Sequence, residues 1–108
     1  MGPWAPTVRP TNWATPTVIE SFWHHGLREL FETGRSARVR ADLQRRILVR
    51  LAAIDSATRL EAVHQPGFDF HALRGRPRRY SVHINGPWCI TFEWSEGRAV
   101  RVDLEQYH

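Results

Sequence analysis

Tyr80-Ser81-Val82-His83-Ile84-Asn85-Gly86-Pro87-Trp88-Cys89-Ile90-Thr91-Phe92-Glu93-Trp94-Ser95-Glu96-Gly97-Arg98-Ala99-Val100-Arg101-Val102-Asp103-Leu104 is the stretch that decides the fold. Tyr80, Val82 and Ile84 occupy every second position, as do Ile90, Phe92 and Trp94, and then Val100, Val102 and Leu104. Successive side chains of a strand point to opposite faces, so each run reads as a strand with one buried face. Asn85-Gly86-Pro87 and Glu96-Gly97 separate the runs and supply the turns. Consecutive short strands joined by tight turns predict an antiparallel sheet. Upstream, a Gln65-Pro66-Gly67 turn leads into a further strand over Phe68 to Leu73, which Gly75-Arg76-Pro77 breaks.

A sheet with one apolar face needs a cover, and the first half of the chain provides it. Val18-Ile19-Glu20-Ser21-Phe22 reads as a short first strand, ended by His24-His25-Gly26. Leu27, Leu30 and Phe31 then fall at i, i+3 and i+4, and Thr33-Gly34 closes that helix with a glycine suited to a left-handed cap. A second helix, from about Ala37 to Ala57, carries the stripe Leu43, Ile47, Leu51 and Ile54, with Arg38, Arg45, Arg46 and Arg50 expected largely off it. The expectation is an α+β domain over 18–108, a helical hairpin packed on a small antiparallel sheet. Pro3, Pro6, Pro10 and Pro16 set residues 1–17 apart as an extension in which neither helix nor sheet strand continues, although Trp4 and Trp13 would suit docking onto a surface.

With 108 residues the chain holds one modest core. All fifteen basic residues are arginine against eleven acids, a net charge of +4 and a pI near 10.5. Such a balance suits a polyanion or an acidic protein partner, while the preference for arginine over lysine is also what a biased genomic base composition produces. Cys89 is the single cysteine, which excludes an internal disulfide and a cysteine-rich zinc motif and fits a reducing cytoplasm. No apolar run approaches the roughly 18 residues of a membrane span, and residues 1–17 lack the apolar core of a secretory signal. A soluble, unexported protein is expected.

Histidine, tyrosine and arginine together are what a metal-free ribonuclease requires: an imidazole to take or give a proton, a phenol to orient or donate, and a guanidinium for the phosphate. His71 and Arg74 lie in His71-Ala72-Leu73-Arg74-Gly75, and the chain ends in Gln106-Tyr107-His108. Read without context, a histidine opening a strand is usually structural and a terminal histidine is usually tail. Arg74, Arg76, Arg78 and Arg79 crowd one loop, which on its own is a solvated basic loop. His24, His25, His64 and His83 have no metal-ligand spacing and read as surface or structural groups.

Several segments, taken in order, resemble the HigB-type toxins of the RelE/ParE superfamily, bacterial toxin–antitoxin proteins. These are Ile19-x-Ser21-Phe22, Gly26-Leu27, Phe31-x-x-Gly34, the arginine-rich helix and Ile54-Asp55-x-Ala57-Thr58, followed by His71-x-Leu73-x-Gly75, Tyr80-Ser81-Val82 with Asn85, Trp88-x-Ile90-x-Phe92 and Tyr107-His108. The resemblance runs from Val18, where the family pattern starts with methionine, to His108. It implies a RelE-like fold and a ribosome-dependent mRNA endonuclease, in which a ribose 2′-hydroxyl attacks the adjacent phosphodiester by acid–base catalysis, with no metal or other cofactor. By position it implies His71 and His108 as acid and base in either order, Arg74 on the phosphate oxygens and Tyr107 on the substrate. Arg76, Arg78, Arg79 and Gln106 are then RNA contacts. The implied partners are a helix-turn-helix antitoxin of the HigA kind, the ribosome and its mRNA, with no membrane.

Two positions depart from the pattern. Cys89 stands where many members carry an arginine, and Gln106 where an aspartate often precedes the tyrosine. A non-cleaving toxin of the same fold, such as a ParE-like gyrase poison, and a decayed basic binding module are the competing readings.

Overall fold

A computed structural model describes residues 18–106; the expectations placed on 1–17, Tyr107 and His108 lie outside them. Helix α1 (His25–Thr33) and helix α2 (Gln44–Ser56) precede strands β1 (His71–Ala72), β2 (Tyr80–Asn85), β3 (Trp88–Ser95) and β4 (Arg98–Gln106). The four strands form one sheet in the order β1-β2-β3-β4, antiparallel throughout. The expected α+β architecture is present.

Local chemistry sets the helix ends. His24 Nδ1 accepts the backbone N–H of Leu27 at 3.1 Å and so caps α1, while Gly34 takes the left-handed conformation at φ 91° and donates to Leu30 O at 2.8 Å. His25 and Gly26 therefore begin the helix rather than end a strand. Gly26 is needed for close approach: a Cβ there would come within 2.8 Å of both Arg38 Cβ and the His24 ring. Helix α2 starts later than its stripe suggested, after a 3-10 turn at Ala41–Leu43. Ser36 Oγ bonds Glu29 Oε1 and the Arg38 N–H, and Gln44 Nε2 donates to Ser36 O and Val39 O. Those side-chain bonds hold 36–39 in a non-helical path.

Leu43, Ile47, Leu51 and Ile54 are all buried against Val82, Ile84, Ile90, Phe92 and Val102. Arg50, expected off the stripe, is 9% exposed and lies within it. Position 50 is three residues after Ile47 and four before Ile54, hence on the same helix face. Its charge is accommodated by carbonyls: Nε donates to His83 O at 2.7 Å, Nη1 to Arg46 O at 3.3 Å and Nη2 to Gly67 O at 3.4 Å, with the guanidinium 4.7 Å over the Phe68 ring. Burial, and then the charge of Arg46, pushes its pKa down from the ordinary value.

Two expected strands are shorter than their sequences implied. Residues 18–22 make only isolated parallel bridges, Ile19 to Ala99 and Phe22 to Val102, along the outer edge of β4. Asp55 secures the segment by accepting the N–H groups of Val18 and Ile19, both at 3.0 Å. The strand expected over Phe68–Leu73 contracts to His71–Ala72 because Asp69 adopts φ 47°, turning the chain after Phe68 O has accepted the His83 N–H at 2.7 Å.

The alternation of β4 also needs correction. Thr91 pairs with Asp103 but Glu93 with Val100, so β4 carries one extra residue at a bulge containing Arg101, at φ 53°. The bulge switches parity: Ala99, not Val100, joins the apolar core together with Val102. Beyond it, Asp103 and Glu105 pair with Thr91 and Cys89, on the face opposite Val102 and Leu104.

Candidate nucleic-acid site on the open face of the sheet

The face opposite the helices carries His71, Ser81 and His83, the odd-numbered residues of β3, and those of β4 beyond its bulge. Register lines His71, Ser81, Thr91 and Asp103 across all four strands, and His83, Cys89 and Glu105 across three. Cys89 is 1% exposed but is not part of the apolar core cluster, and Ser81 and Thr91 are buried polar residues. This is a polar face packed around a few hydroxyl and thiol groups.

Beside it, Arg79 Nη1 donates to Glu105 Oε2 at 2.6 Å and to Thr91 Oγ1 at 3.3 Å. Thr91 Oγ1 in turn donates to the same Glu105 oxygen in a short hydrogen bond. Both ionised side chains remain about a third exposed, so the pair is worth little as stability and more as geometry.

His71 sits on the edge strand, exposed. Its Nδ1 lies 2.9 Å from Asp69 O. A carbonyl only accepts, so Nδ1 carries the proton and the neutral ring bears its lone pair on Nε2. The left-handed turn at Asp69 that shortened β1 thus also sets the imidazole tautomer.

Arg74, Arg76 and Arg78 are exposed on the 73–79 loop, whose ends are tied by Leu73 N donating to Arg79 O at 2.8 Å. Among the described residues these three make no ion pair. Arg76, Pro77 and Arg78 line a shallow hollow with Gly75 and Tyr80. Behind it Tyr80 stacks on Phe70 at 5.7 Å and packs against Phe92 at 5.9 Å, anchoring the loop base to the core.

His71 and the expected arginines lie along one edge strand and its loop, with Arg79 distinguished by its anchor. Gln106 is exposed at the end of β4, pairs with Trp88 and shares the parity of Leu104, on the other face from the His71 row. Tyr107 and His108 follow it, outside the described residues. Glu105 and Thr91 were missed, although the alternation of Val102 and Leu104 already puts Glu105 on the outer face. Among the described residues no three His, Cys, Asp or Glu side chains gather as metal ligands would, and no helix is long and apolar enough to cross a membrane.

The architecture is thus a helical pair over a small antiparallel sheet, with His71 at the edge of the open face and an arginine-bearing loop beside it. Residues 20–108 match the family described as RelE-like toxin of type II toxin–antitoxin system HigB, and the chain belongs to that family. Endoribonuclease HigB of Proteus vulgaris is 38% identical over 92 residues, covering 84% of this chain and 100% of that protein.

Proposed function

We propose that this toxin is a ribosome-dependent mRNA endonuclease that needs no metal. The observation that carries the reading is the His71 imidazole, exposed on the sheet edge with its tautomer set by Asp69 O and a basic loop beside it. The likeness to an endoribonuclease supports it. In the reaction, the 2′-hydroxyl loses its proton to a base and its oxygen bonds to phosphorus. The bond from phosphorus to the 5′-oxygen breaks, and an acid protonates that leaving oxygen. The products are a 2′,3′-cyclic phosphate and a 5′-hydroxyl. His71 and His108 take the acid and base roles, in either order. Arg74 neutralises the charge growing on the phosphate oxygens and Tyr107 stacks on or hydrogen-bonds the substrate.

Arg76, Arg78 and Arg79 supply RNA contacts that hold the backbone without reading sequence. Gln106 makes a further contact from the end of β4. In the cell the partner is a small helix-turn-helix antitoxin of the HigA kind, and the toxin acts in the cytoplasm. Primer extension on a defined mRNA with stalled, open-A-site ribosomes in EDTA tests the reading. Discrete cuts that require ribosomes and vanish in His71→Ala and His108→Ala are expected. An intact message alongside continued growth arrest would transfer the toxicity to a binding mechanism such as gyrase poisoning.

A further inference from the structure

Arg79 differs from its loop neighbours in being held. Glu105 and Thr91 both engage Nη1, so among the described residues the edge formed by Nε–H and Nη2–H has no partner. That edge lies opposite the anchored nitrogen and is the one with which a guanidinium grips two oxygens side-on. The backbone is held as well, because Arg79 O accepts from Leu73 N and the next residue, Tyr80, pairs with Ala72, adjacent to His71. Thr91 stands in the same cross-strand row as His71, two strand spacings or about 10 Å away between backbones. A phosphodiester with its ribose spans such a gap.

We propose that Arg79 is a catalytic phosphate ligand of this face, donating from Nε and Nη2 to the two non-bridging oxygens of the scissile phosphodiester, with Glu105 and Thr91 as its positioning residues. The inference rests on the endonuclease reading for its substrate. Arg74, Arg76 and Arg78 must lose side-chain freedom to bind, whereas Arg79 has lost it in folding, and donors fixed in advance favour the charge of the transition state most. Glu105 sits behind the guanidinium, away from the edge that meets the phosphate. Its carboxylate therefore fixes orientation at some cost in net positive charge.

The test is calorimetric titration of the intact protein with adenosine 3′-monophosphate, run beside ribosome-dependent cleavage and thermal unfolding of each variant. Arg79→Ala is expected to weaken nucleotide binding at least about tenfold and to slow cleavage more than that, while Arg35→Ala, at an exposed position beyond α1, stays within about twofold on both. Arg79→Lys retains a cation for Glu105 and so preserves folding. It should nonetheless recover little cleavage, because an ammonium lacks the fork. Glu105→Gln, which keeps an acceptor for Nη1, should lower kcat several-fold with less effect on KM. Nucleotide binding by wild type that is unchanged in Arg79→Ala and Arg79→Lys, or that is absent in wild type, overturns the assignment. Binding that depends on Arg79 in a protein that cuts no RNA leaves the phosphate ligand standing and removes the endonuclease. Cleavage indifferent to Arg79 does the reverse.

Discussion

The two faces of the sheet solve different problems with the same four strands. Against the helices, Val82, Ile84, Ile90, Phe92 and Val102 are buried among apolar neighbours, and the buried charge of Arg50 directs its donors to backbone carbonyls and its plane to Phe68. On the other face, Ser81, Cys89 and Thr91 form a polar floor, and among the described residues Arg79 is bound at one nitrogen only. One arginine is consumed by the fold and the other is presented by it. The contrast teaches that burial alone does not sort structural from functional cations; what sorts them is which donors remain.

If the inner face carries stability and the outer face chemistry, substitutions should divide along that line. The largest stability effect is expected for Phe92→Ala, about 3–5 kcal/mol from the forfeited transfer energy and the cavity left in a fully buried site, read by denaturant unfolding. A smaller effect would mean that the helices close over the gap. Arg50→Ala should cost roughly 2–3 kcal/mol by stranding the carbonyls of His83 and Gly67, with cleavage restored once the protein is measured below its lowered midpoint. Asp55→Ala removes the acceptor for the Val18 and Ile19 N–H groups and should cost about 1–2 kcal/mol, most of which Asp55→Asn regains. The smallest stability effect belongs to the double variant Arg76→Ala/Arg78→Ala, within about 0.5 kcal/mol of wild type. It should nonetheless flatten the salt dependence of single-stranded RNA binding, by roughly 0.7 in log–log slope for each phosphate that is no longer neutralised. An unchanged slope would take the loop out of the RNA interface.

How far the sequence could be read follows from the range of the interactions involved. The inner face was legible because strand and helix periods depend on near neighbours, and the Thr33-Gly34 stop and the turns at Asn85-Gly86-Pro87 and Glu96-Gly97 are local signals. Arg50 was misread because its charge was weighed above its helical phase; only His83, Gly67 and Phe68, contributed from elsewhere in the chain, make its burial tolerable. The strand expected at 68–73 failed at a single left-handed residue, Asp69, and the parity of β4 changed at Arg101, neither of them a glycine. At the site, His71 and the arginine loop were recognisable as a segment. The anchoring of Arg79 to Glu105 joins residues 26 positions apart and depends on the register of three strands.

The central claim, that the outer face cuts RNA while contributing little to folding, is tested most directly on His71→Ala, with single-turnover cleavage of ribosome-bound mRNA and thermal unfolding measured on one preparation. The account predicts a rate reduced by about 10²–10⁴ with an unfolding midpoint close to wild type. Cleavage at the wild-type rate from a folded His71→Ala protein would contradict it.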